Sequence, residues 1–402
     1  MSAGDGERPE PLGRLFLRFL RFGLLAWGGP VAQIAMIKRE LVEEERWVDP
    51  PRFNRLLAIY QVLPGPEAHE LCVHLGMVRR GRAGGILAGL GFMLPGLILM
   101  LALSWLYAHS DFTRPPYAAL FLGVQVGVIA LIARAVHRIG EHVLTDRGLW
   151  LAAALAALAA WLGVPFWITL PAAGLAYACA ARGWRWTAAA VVAVAALLAV
   201  LTMPAAALLG PATPTARPAL VAAGSVGALP LFLSGLTAGL FTFGGAYTAI
   251  PFVRGDAVYR GWVSDGQFLD GLALSGIIPA PLIIFATFVG FQAGGLAGAL
   301  AITAGVFLPA FGFALIFFDR LEPVIDDHRW RDGLAGVAAG VVGLIAVTAL
   351  DLGSNVARAV PSLPLAALLF AACLALLYRW ESKHIMLAVI AVSAAAGVAA
   401  FG

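Results

Sequence analysis

The sequence predicts an all-α polytopic membrane protein of about 13 transmembrane segments, arranged as an inverted repeat of two homologous halves with Gly/Pro-broken helices. The first observation behind this prediction is composition. Of the 402 residues, 61% are hydrophobic and only 12% are charged, whereas soluble domains carry roughly 25% charged residues. So few charges cannot cover a soluble globule of this length, and the lipid bilayer is therefore the predicted solvent.

The second observation is a pattern of Gly/Pro breaks that occurs twice, about 215 residues apart. The first copy consists of WGGP at 27–30, Trp47, LPGP at 63–66 and LP at 94–95. The second copy keeps the order, with FGGA at 243–246, Trp262, IPAP at 278–281 and LP at 308–309. A repeated pair of interrupted apolar segments is typical of a secondary transporter whose binding site lies between two related halves.

The segments follow from apolar runs, because a transmembrane helix needs about 20 apolar residues. Seven precede the second copy, at roughly 14–37, 56–78, 84–108, 117–138, 148–163, 165–181 and 186–209. Six follow, at roughly 220–250, 268–292, 295–318, 333–350, 362–379 and 383–401. The predicted domains are a first repeat at 1–184, a linking segment with a Pro-rich joint at 185–217, and a second repeat at 218–402.

Basic residues in the loops predict the orientation. The N-terminal segment carries Arg8, Arg14, Arg18 and Arg21, and the loop after the second segment is RRGR at 79–82. The equivalent loop of the second half, at 292–295, has no charge, which indicates that the halves insert in opposite directions. Seven preceding segments, an odd number, would produce that inversion. We expect the N-terminus in the cytoplasm and the C-terminus outside. The net charge of +4 reflects this topology, and no nucleic-acid partner is predicted.

The Gly/Pro breaks form the candidate substrate site. Proline removes a backbone donor and glycine adds backbone freedom, and interrupted backbone within a membrane must face protein or water. A helix that restarts after such a break presents free N–H groups and a positive dipole end, which favour an anion. The alternative is a kinked, close-packed helix pair. The candidate residues are Gly28, Gly29, Pro30, Gln33, Pro64, Gly65, Pro66, Gly244, Gly245, Thr248, Pro279 and Pro281.

Two basic residues complete the candidate substrate site. Lys38 and Arg254 occupy equivalent positions in the two halves, about ten residues after their Gly-Gly pairs. A helix of that length places them about 15 Å from the breaks. We therefore expect them at a vestibule or interface, and ordinary snorkelling flank residues are the alternative interpretation.

Titratable side chains follow the LPGP break of the first half only. On a helix, Glu67, Glu70 and His74 share one face, and acidic residues in a membrane segment are costly unless they are paired, protonated or facing water. They are candidates for coupling or gating, such as a proton relay. The alternative is a helix start whose dipole the two acids complement. His69 and His74 are five residues apart and point in different directions, so they cannot share one metal ion from a straight helix. A metal site made of Glu67, Glu70 and His74 is a weaker alternative. No metal or cofactor is predicted.

These residues resemble the chromate ion transporter family in its long, two-domain form. The resemblance covers about 95 residues of the first half, from FGLLAWGGPVAQIA through LPGPEAHELCVHLG to GLGFMLPG. A weaker match in the second half runs from FTFGGAYTAIP through GIIPAPL to FLPAFGF. The order of GGP, Trp, LPGP and LPG is specific to this family.

The resemblance implies a non-enzymatic carrier in the inner membrane that exports chromate from the cytoplasm. Membrane potential would drive export of the dianion, protons could assist through the acidic cluster, and the two halves would alternate access. Sulfate or another tetrahedral oxyanion is the alternative substrate, and a metal-dependent membrane enzyme is the alternative class. A homodimer is an open alternative for the assembly.

Overall fold

The computed structural model describes residues 10–110, 114, 117–202, 220, 222, 224–316, 318, 328–380, 382 and 384–402. Within these residues the regular secondary structure is entirely helical, which confirms the predicted all-α class. The Pro-rich joint at 210–219 lies outside the described residues. In the described part of the chain, five helices are long and apolar enough to cross a membrane by length and composition, and five shorter helices are also apolar.

The first half begins with broken helices and ends with a row of longer ones. A π-helical segment, Lys38–Glu44, follows α2. The α-helices are α1 (Leu12–Leu24), α2 (Gly29–Ile37), α3 (Pro50–Val62), α4 (Glu67–His109), α5 (Tyr117–Val143), α6 (Arg147–Trp161), α7 (Phe166–Ala181) and α8 (Arg185–Thr202).

The second half repeats the broken helices. Short 3₁₀ segments at Ala246–Ala249 and Leu282–Ile284 precede two of its α-helices. The α-helices are α9 (Ala228–Leu240), α10 (Ile250–Tyr259), α11 (Asp265–Gly276), α12 (Phe285–Ile316), α13 (His328–Ala359), α14 (Leu363–Arg379) and α15 (Ile385–Phe401).

Helices α4 and α12 each fold into a hairpin at the same relative position. In α4 the backbone leaves the helix at Arg80 and at Gly81, where φ is 58° and ψ is −156°. In α12 it does so at Gly294 and at Gly295, where φ is 61° and ψ is −154°. Only glycine adopts this positive-φ conformation at little cost. Each hairpin has a short first arm, residues 67–79 or 285–293, and a long second arm, residues 82–109 or 296–316.

Glycines allow the two arms of each hairpin to pack closely against each other. A Cβ on Gly76 would lie 2.5 Å from the carbonyl oxygen of Gly84, and one on Gly290 would lie 2.6 Å from that of Gly298. Thr287 and Thr303 also share a 2.7 Å hydrogen bond across the second hairpin. The first arms, of 13 and 9 residues, are therefore antiparallel to the long arms and too short to span a bilayer, at about 20 and 14 Å.

The chain also folds back at the first break, between α1 and α2. Glu40 and Glu45 follow α2 by a few residues, yet they contact arginines in the middle and the last turn of α1. Glu40 accepts a hydrogen bond from Arg21 at 3.0 Å, and Glu45 pairs with Arg18. Trp47 packs on Phe19 of α1. Segment 14–37 was expected to cross the membrane as one span, but α1 and α2 instead form a V whose two ends meet.

The second V, formed by α3 and the first arm of α4, returns to the same place. Arg79, at the end of that arm, lies over the Trp47 ring with 4.9 Å between guanidinium carbon and ring centroid. Arg80 donates to the carbonyl oxygen of Glu10 at 3.1 Å. The start of α1, the 40–47 segment and the Gly81 turn thus lie together, and we call this region the Gly81 end of the bundle.

The second half has its own end, on the other side. Val226, just before α9, donates to the carbonyl oxygen of Ala293 at 3.0 Å, next to the Gly295 turn. Gln292 donates to the carbonyl oxygen of Ser104 at 3.3 Å. Ser104 lies 22 residues beyond the start of the long arm of α4, or about 33 Å along it. The Gly81 and Gly295 turns are therefore separated by about the thickness of a bilayer core.

The long arms of α4 and α12 pack antiparallel at the centre of the molecule. The start of one contacts the end of the other, since Gly85 and Gly89 lie against Leu315 and Phe311. Helix α15 ends beside the start of α5. A Cβ on Gly402 would lie 3.5 Å from Ala119 Cβ, so the C-terminus lies where α4 ends and α5 begins.

Candidate functional site

The four Gly/Pro breaks meet in pairs that join one half to the other. The backbone N–H of Gly65, in the second break of the first half, donates to the carbonyl oxygen of Thr242 at 2.8 Å, in the first break of the second half. The side chain of Gln33 donates to the carbonyl oxygens of Ala26 at 3.0 Å and Ala280 at 3.2 Å. Each first break is therefore hydrogen-bonded to the second break of the other half.

The breaks lie level with the centre of the long arm of α4. A Cβ on Gly23, just before the first break, would lie 2.5 Å from the carbonyl oxygen of Phe92 and 2.9 Å from the Pro95 ring. A Cβ on Gly96 would overlap Ala280 of the fourth break. Pro95 and Gly96 are equally distant from the two ends of an arm about 42 Å long. The interrupted backbone is thus at mid-depth, where a bilayer would offer it no water.

The two halves build this packing in the same way. Gly239 approaches Pro309 and the carbonyl oxygen of Val306, as Gly23 approaches Pro95 and that of Phe92. Thr248, predicted at the site, is fully buried, and its hydroxyl donates to the carbonyl oxygen of Gly245 at 2.7 Å. This hydrogen bond stabilises the turn after the Gly-Gly pair.

Glu70 lies against the second break of the first half. Its side chain is fully buried, and neither carboxyl oxygen has a hydrogen-bond partner among the described residues. Gly65 has φ of 144°, and a Cβ built there would lie 2.7 Å from the Glu70 carboxyl oxygen. A buried carboxyl without a partner is costly, and such groups deserve a functional explanation.

His74 and His69 have different surroundings on the same arm. His74 Nδ1 shares a 2.9 Å hydrogen bond with the hydroxyl of Tyr60, and its ring lies 4.5 Å from that of Phe318. His69 is fully buried among phenylalanine rings, the nearest being Phe311 at 4.7 Å. Because His74 faces α3, it does not join Glu70 at the break.

Glu67 faces a third direction, toward α5. Only 7% of its surface is exposed, and its carboxyl interacts electrostatically with Arg138 and His142 of α5. The three coupling candidates therefore lie on one helical arm but have separate neighbours: α5, the second break and α3. Among the described residues no group of three or more His, Cys, Asp or Glu could hold a metal ion, so the metal alternative has no geometric support there.

Lys38 and Arg254 lie apart from the breaks. Lys38 is half-buried at the start of the π-helical segment, toward the Gly81 end. Arg254 is buried, and its guanidinium contacts Asp265 at 2.9 Å and Asp351 at 3.5 Å. The positions are equivalent in sequence, but only Arg254 is neutralised by two carboxylates among the described residues.

A cavity of about 520 Å³ lies beside this arginine network, at the end of the bundle opposite the Gly81 turn. Asp265 accepts a hydrogen bond from Asn355 at 2.9 Å with its second oxygen. Nearby, Asp270 accepts from Tyr107 at 2.7 Å and Gln125 at 2.9 Å. The cavity is lined by Gln125, Asp265, Gly266, Leu269, Asn355, Val356, Arg358 and Ala359.

Sequence reasoning missed several polar residues that have specific partners in the structure. Tyr60, Thr242 and Asp270 lie in apolar runs without a motif, so no sequence signal marked them. Arg138 has the sequence signature of an ordinary helix-flanking arginine. In the structure, Tyr60 is hydrogen-bonded to His74, Thr242 to Gly65, and Asp270 to Tyr107. The charge of Arg138 acts on the Glu67 carboxyl.

The comparison with known proteins matches both halves of the chain. The family model described as "Chromate transporter" matches residues 13–178 and 229–398. A "Chromate transport protein" of Pseudomonas aeruginosa is 61% identical over 394 residues, 97% of this chain and 92% of that protein. One of Cupriavidus metallidurans is 30% identical over 339 residues, 82% and 80% of the two chains.

A "Probable chromate transport protein" of Synechococcus elongatus is 30% identical over 353 residues, 86% of this chain and 85% of that protein. No solved structure matches the chain significantly.

Proposed function

This chain belongs to the chromate transporter family, and we propose that it exports chromate from the cytoplasm across the inner membrane by alternating access between its halves. The observation that carries the proposal is the convergence of the four breaks at mid-depth, each bonded to the opposite half. Secondary transporters bind substrate at such interrupted helices, where N–H groups and helix dipoles point at anionic groups. The residues of this site are the glycines and prolines of the four breaks together with Gln33.

The proposed topology has nine crossings and four re-entrant V-shaped segments. The crossings are the long arms of α4 and α12 with α5, α6, α7, α8, α13, α14 and α15. Five crossings precede the second half, again an odd number, which keeps the halves inverted. The antiparallel long arms and the opposite positions of the Gly81 and Gly295 turns support this arrangement. The 13 apolar segments of the sequence are thus retained, but four of them return to the side from which they enter.

The Gly81 end is assigned to the cytoplasm because its connections are the more basic. In this topology its connections carry Arg147, Arg182, Arg185, Arg331 and Arg379, besides the arginines of the Gly81 turn. The connections at the opposite end carry Arg114, Arg260 and Arg358. This assignment places the N-terminus inside and the C-terminus, beside the start of α5, outside. Lys38 then lies at the cytoplasmic entrance and Arg254 near the exit.

Membrane potential can drive the proposed export. Moving one charge across 100 mV is worth about 2.3 kcal/mol, so a dianion gains about 4.6 kcal/mol on leaving an inside-negative cell. This free energy supports a gradient of roughly a thousandfold. Glu67, Glu70 and His74 are proposed to couple or gate this flux. Glu70 is the strongest of the three candidates, since its buried carboxyl has no hydrogen-bond partner in the described part of the chain and lies against a break that must move.

The experiment is chromate flux in proteoliposomes with controlled potential and pH. We expect flux from the cytoplasmic to the external face that rises with inside-negative potential, and competition by sulfate would report how well tetrahedral dianions are distinguished. Glu70→Gln should change the pH dependence of flux, and Lys38→Gln should weaken uptake from the cytoplasmic face. Absence of potential-dependent chromate flux by the folded wild-type protein would refute the proposal.

A further inference from the structure

The feature that prompts a further inference is Arg138, an exposed arginine near the cytoplasmic end of α5. It makes no ion pair among the described residues. Other arginines of the described chain are engaged by carboxylates: Arg254 by two aspartates, Arg18 and Arg21 by glutamates. A cation without a carboxylate partner at the entrance of an anion carrier is available to the substrate.

Packing brings this turn of α5 against the first break of the second half. A Cβ built on Gly244 would lie 3.7 Å from the Ile139 side chain and 3.9 Å from the Val143 side chain. These residues directly follow Arg138 and His142 in the sequence. Tyr247, three residues further, packs into the same apolar cluster as Ile139 and Val143. The break therefore lies directly beside the helical turns that carry the two basic side chains.

The same place is reached from the first half. Gly65 is bonded through its N–H to Thr242, two residues before Gly244, and Glu67 follows two residues after Gly65. The charge of Arg138 acts both on the Glu67 carboxyl and on the Tyr247 hydroxyl. Two breaks and the Glu67 carboxyl thus lie close to Arg138, whose guanidinium has no ion pair among the described residues.

We propose that Arg138 binds the oxyanion at the cytoplasmic entrance to the breaks and that the Glu67 carboxylate competes with the anion for its guanidinium. The inference rests on the proposed function and names the residue that selects for negative charge. Guanidinium groups suit tetrahedral oxyanions, because their N–H groups can donate two parallel hydrogen bonds. His142 on α5 and Glu70 on the arm of Glu67 are the other titratable groups that face this carboxyl.

The competition gives the two side chains opposite effects. Loss of Arg138 removes an anion-binding group, so the KM for chromate rises. Loss of the Glu67 charge removes the competitor, so the KM falls, as long as Arg138 is present. A merely structural role for either residue would lower the amount of folded protein or the maximal rate without this opposition.

The test measures chromate flux in proteoliposomes for Arg138→Gln, Arg138→Lys, Glu67→Gln and the double variant. Arg134→Gln is the matched control, because Arg134 lies one turn earlier on the same helix and stacks on Tyr378 with its guanidinium carbon 4.4 Å from the ring centroid. We expect Arg138→Gln to raise the KM about tenfold or more, the effect of one lost charge-assisted hydrogen bond. Arg138→Lys should recover part of it, and Arg134→Gln should match wild type.

The double variant decides whether the two residues act on each other. Glu67→Gln should lower the KM in the wild-type background and leave it unchanged in the Arg138→Gln background. Thermal unfolding in detergent with and without sulfate gives a second readout, in which Arg138→Gln should lose the stabilisation by sulfate. A KM for Arg138→Gln equal to that of Arg134→Gln would overturn the inference, whereas a wild-type protein without any oxyanion flux would instead refute the proposed function.

Discussion

The hydroxyl of Tyr107 offers a quantitative test of the contact between the long arm of α4 and α11. It donates to Asp270 at 2.7 Å, and Asp270 is only 5% exposed. Tyr107→Phe removes this donor but keeps the ring, which packs edge-to-face on Phe288 at 5.0 Å and Phe121 at 5.8 Å. One carboxyl oxygen then loses this donor, and Gln125 still serves the other.

A hydrogen bond to a charged group contributes about 1.5–3 kcal/mol, and a buried acceptor left without its donor loses the full desolvation cost. We therefore expect Tyr107→Phe to lower the free energy of unfolding by about 2 kcal/mol, a factor of about 30 in the equilibrium constant. The assay is equilibrium unfolding in detergent micelles followed by circular dichroism.

Tyr177 supplies a matched control. Its hydroxyl donates to Asp146 at 2.6 Å, a bond of the same type whose acceptor is exposed. Water can replace this donor, so Tyr177→Phe should cost less than about 1 kcal/mol. A loss for Tyr177→Phe equal to or larger than that for Tyr107→Phe would show that burial of Asp270 does not decide the strength of this contact.

Three further predictions follow from contacts at the breaks and at a helix start. Gly65→Ala should abolish chromate flux while the protein still inserts, because the backbone φ of 144° is strained for alanine and the new Cβ would meet the Glu70 carboxyl; normal flux in proteoliposomes would contradict this. Gln33→Leu should lower flux several-fold, since the Ala26 and Ala280 carbonyls lose their shared donor, and Gln33→Asn would test whether side-chain length matters. The Tyr177 hydroxyl, together with two backbone N–H groups at the start of α6, holds the pKa of Asp146 below its usual value. The charged Asp146 therefore stabilises the folded state at pH values above the ordinary aspartate pKa of about 3.9. This stabilisation is lost as pH falls through the lower pKa of the folded state. Asp146→Asn should therefore be less stable than wild type at neutral pH and approach it in acid, as thermal unfolding across pH would measure.

Much of the fold could be predicted from the sequence, because the apolarity of a segment and the interruption of a helix by Gly or Pro are local properties. The 61% hydrophobic content and the placement of Gly and Pro predict helices, and the structure has breaks at each predicted position. The direction of the chain after a break is a different kind of property. Gly28 and Gly29 have φ of 90° and 74°, and these angles turn α2 back beside α1. Hydropathy does not report such angles.

The candidate site was predictable to the same extent. The motif identifies Gly65 and Glu70, which the structure places in contact, since both lie within one short stretch. Contacts between halves, such as Gly65 with Thr242 or Gln33 with Ala280, depend on how separate helices pack, and no spacing in the sequence encodes them. The arginines of α1 illustrate the same limit. They suit a membrane interface, but they are satisfied by glutamates that the chain brings back to them.

The hydrogen bond between Gly65 and Thr242 uses only main-chain atoms, and this has a consequence for how the protein can diversify. A clasp made of peptide groups survives any exchange of side chains that leaves the local backbone path unchanged. The side chains of the two halves can therefore differ while the hydrogen bond between the halves is kept. The first half has Glu67, Glu70 and His74 where the second has Leu282, Phe285 and Val289. Duplication supplies a symmetric frame, and the backbone clasp allows that frame to acquire an asymmetric interior.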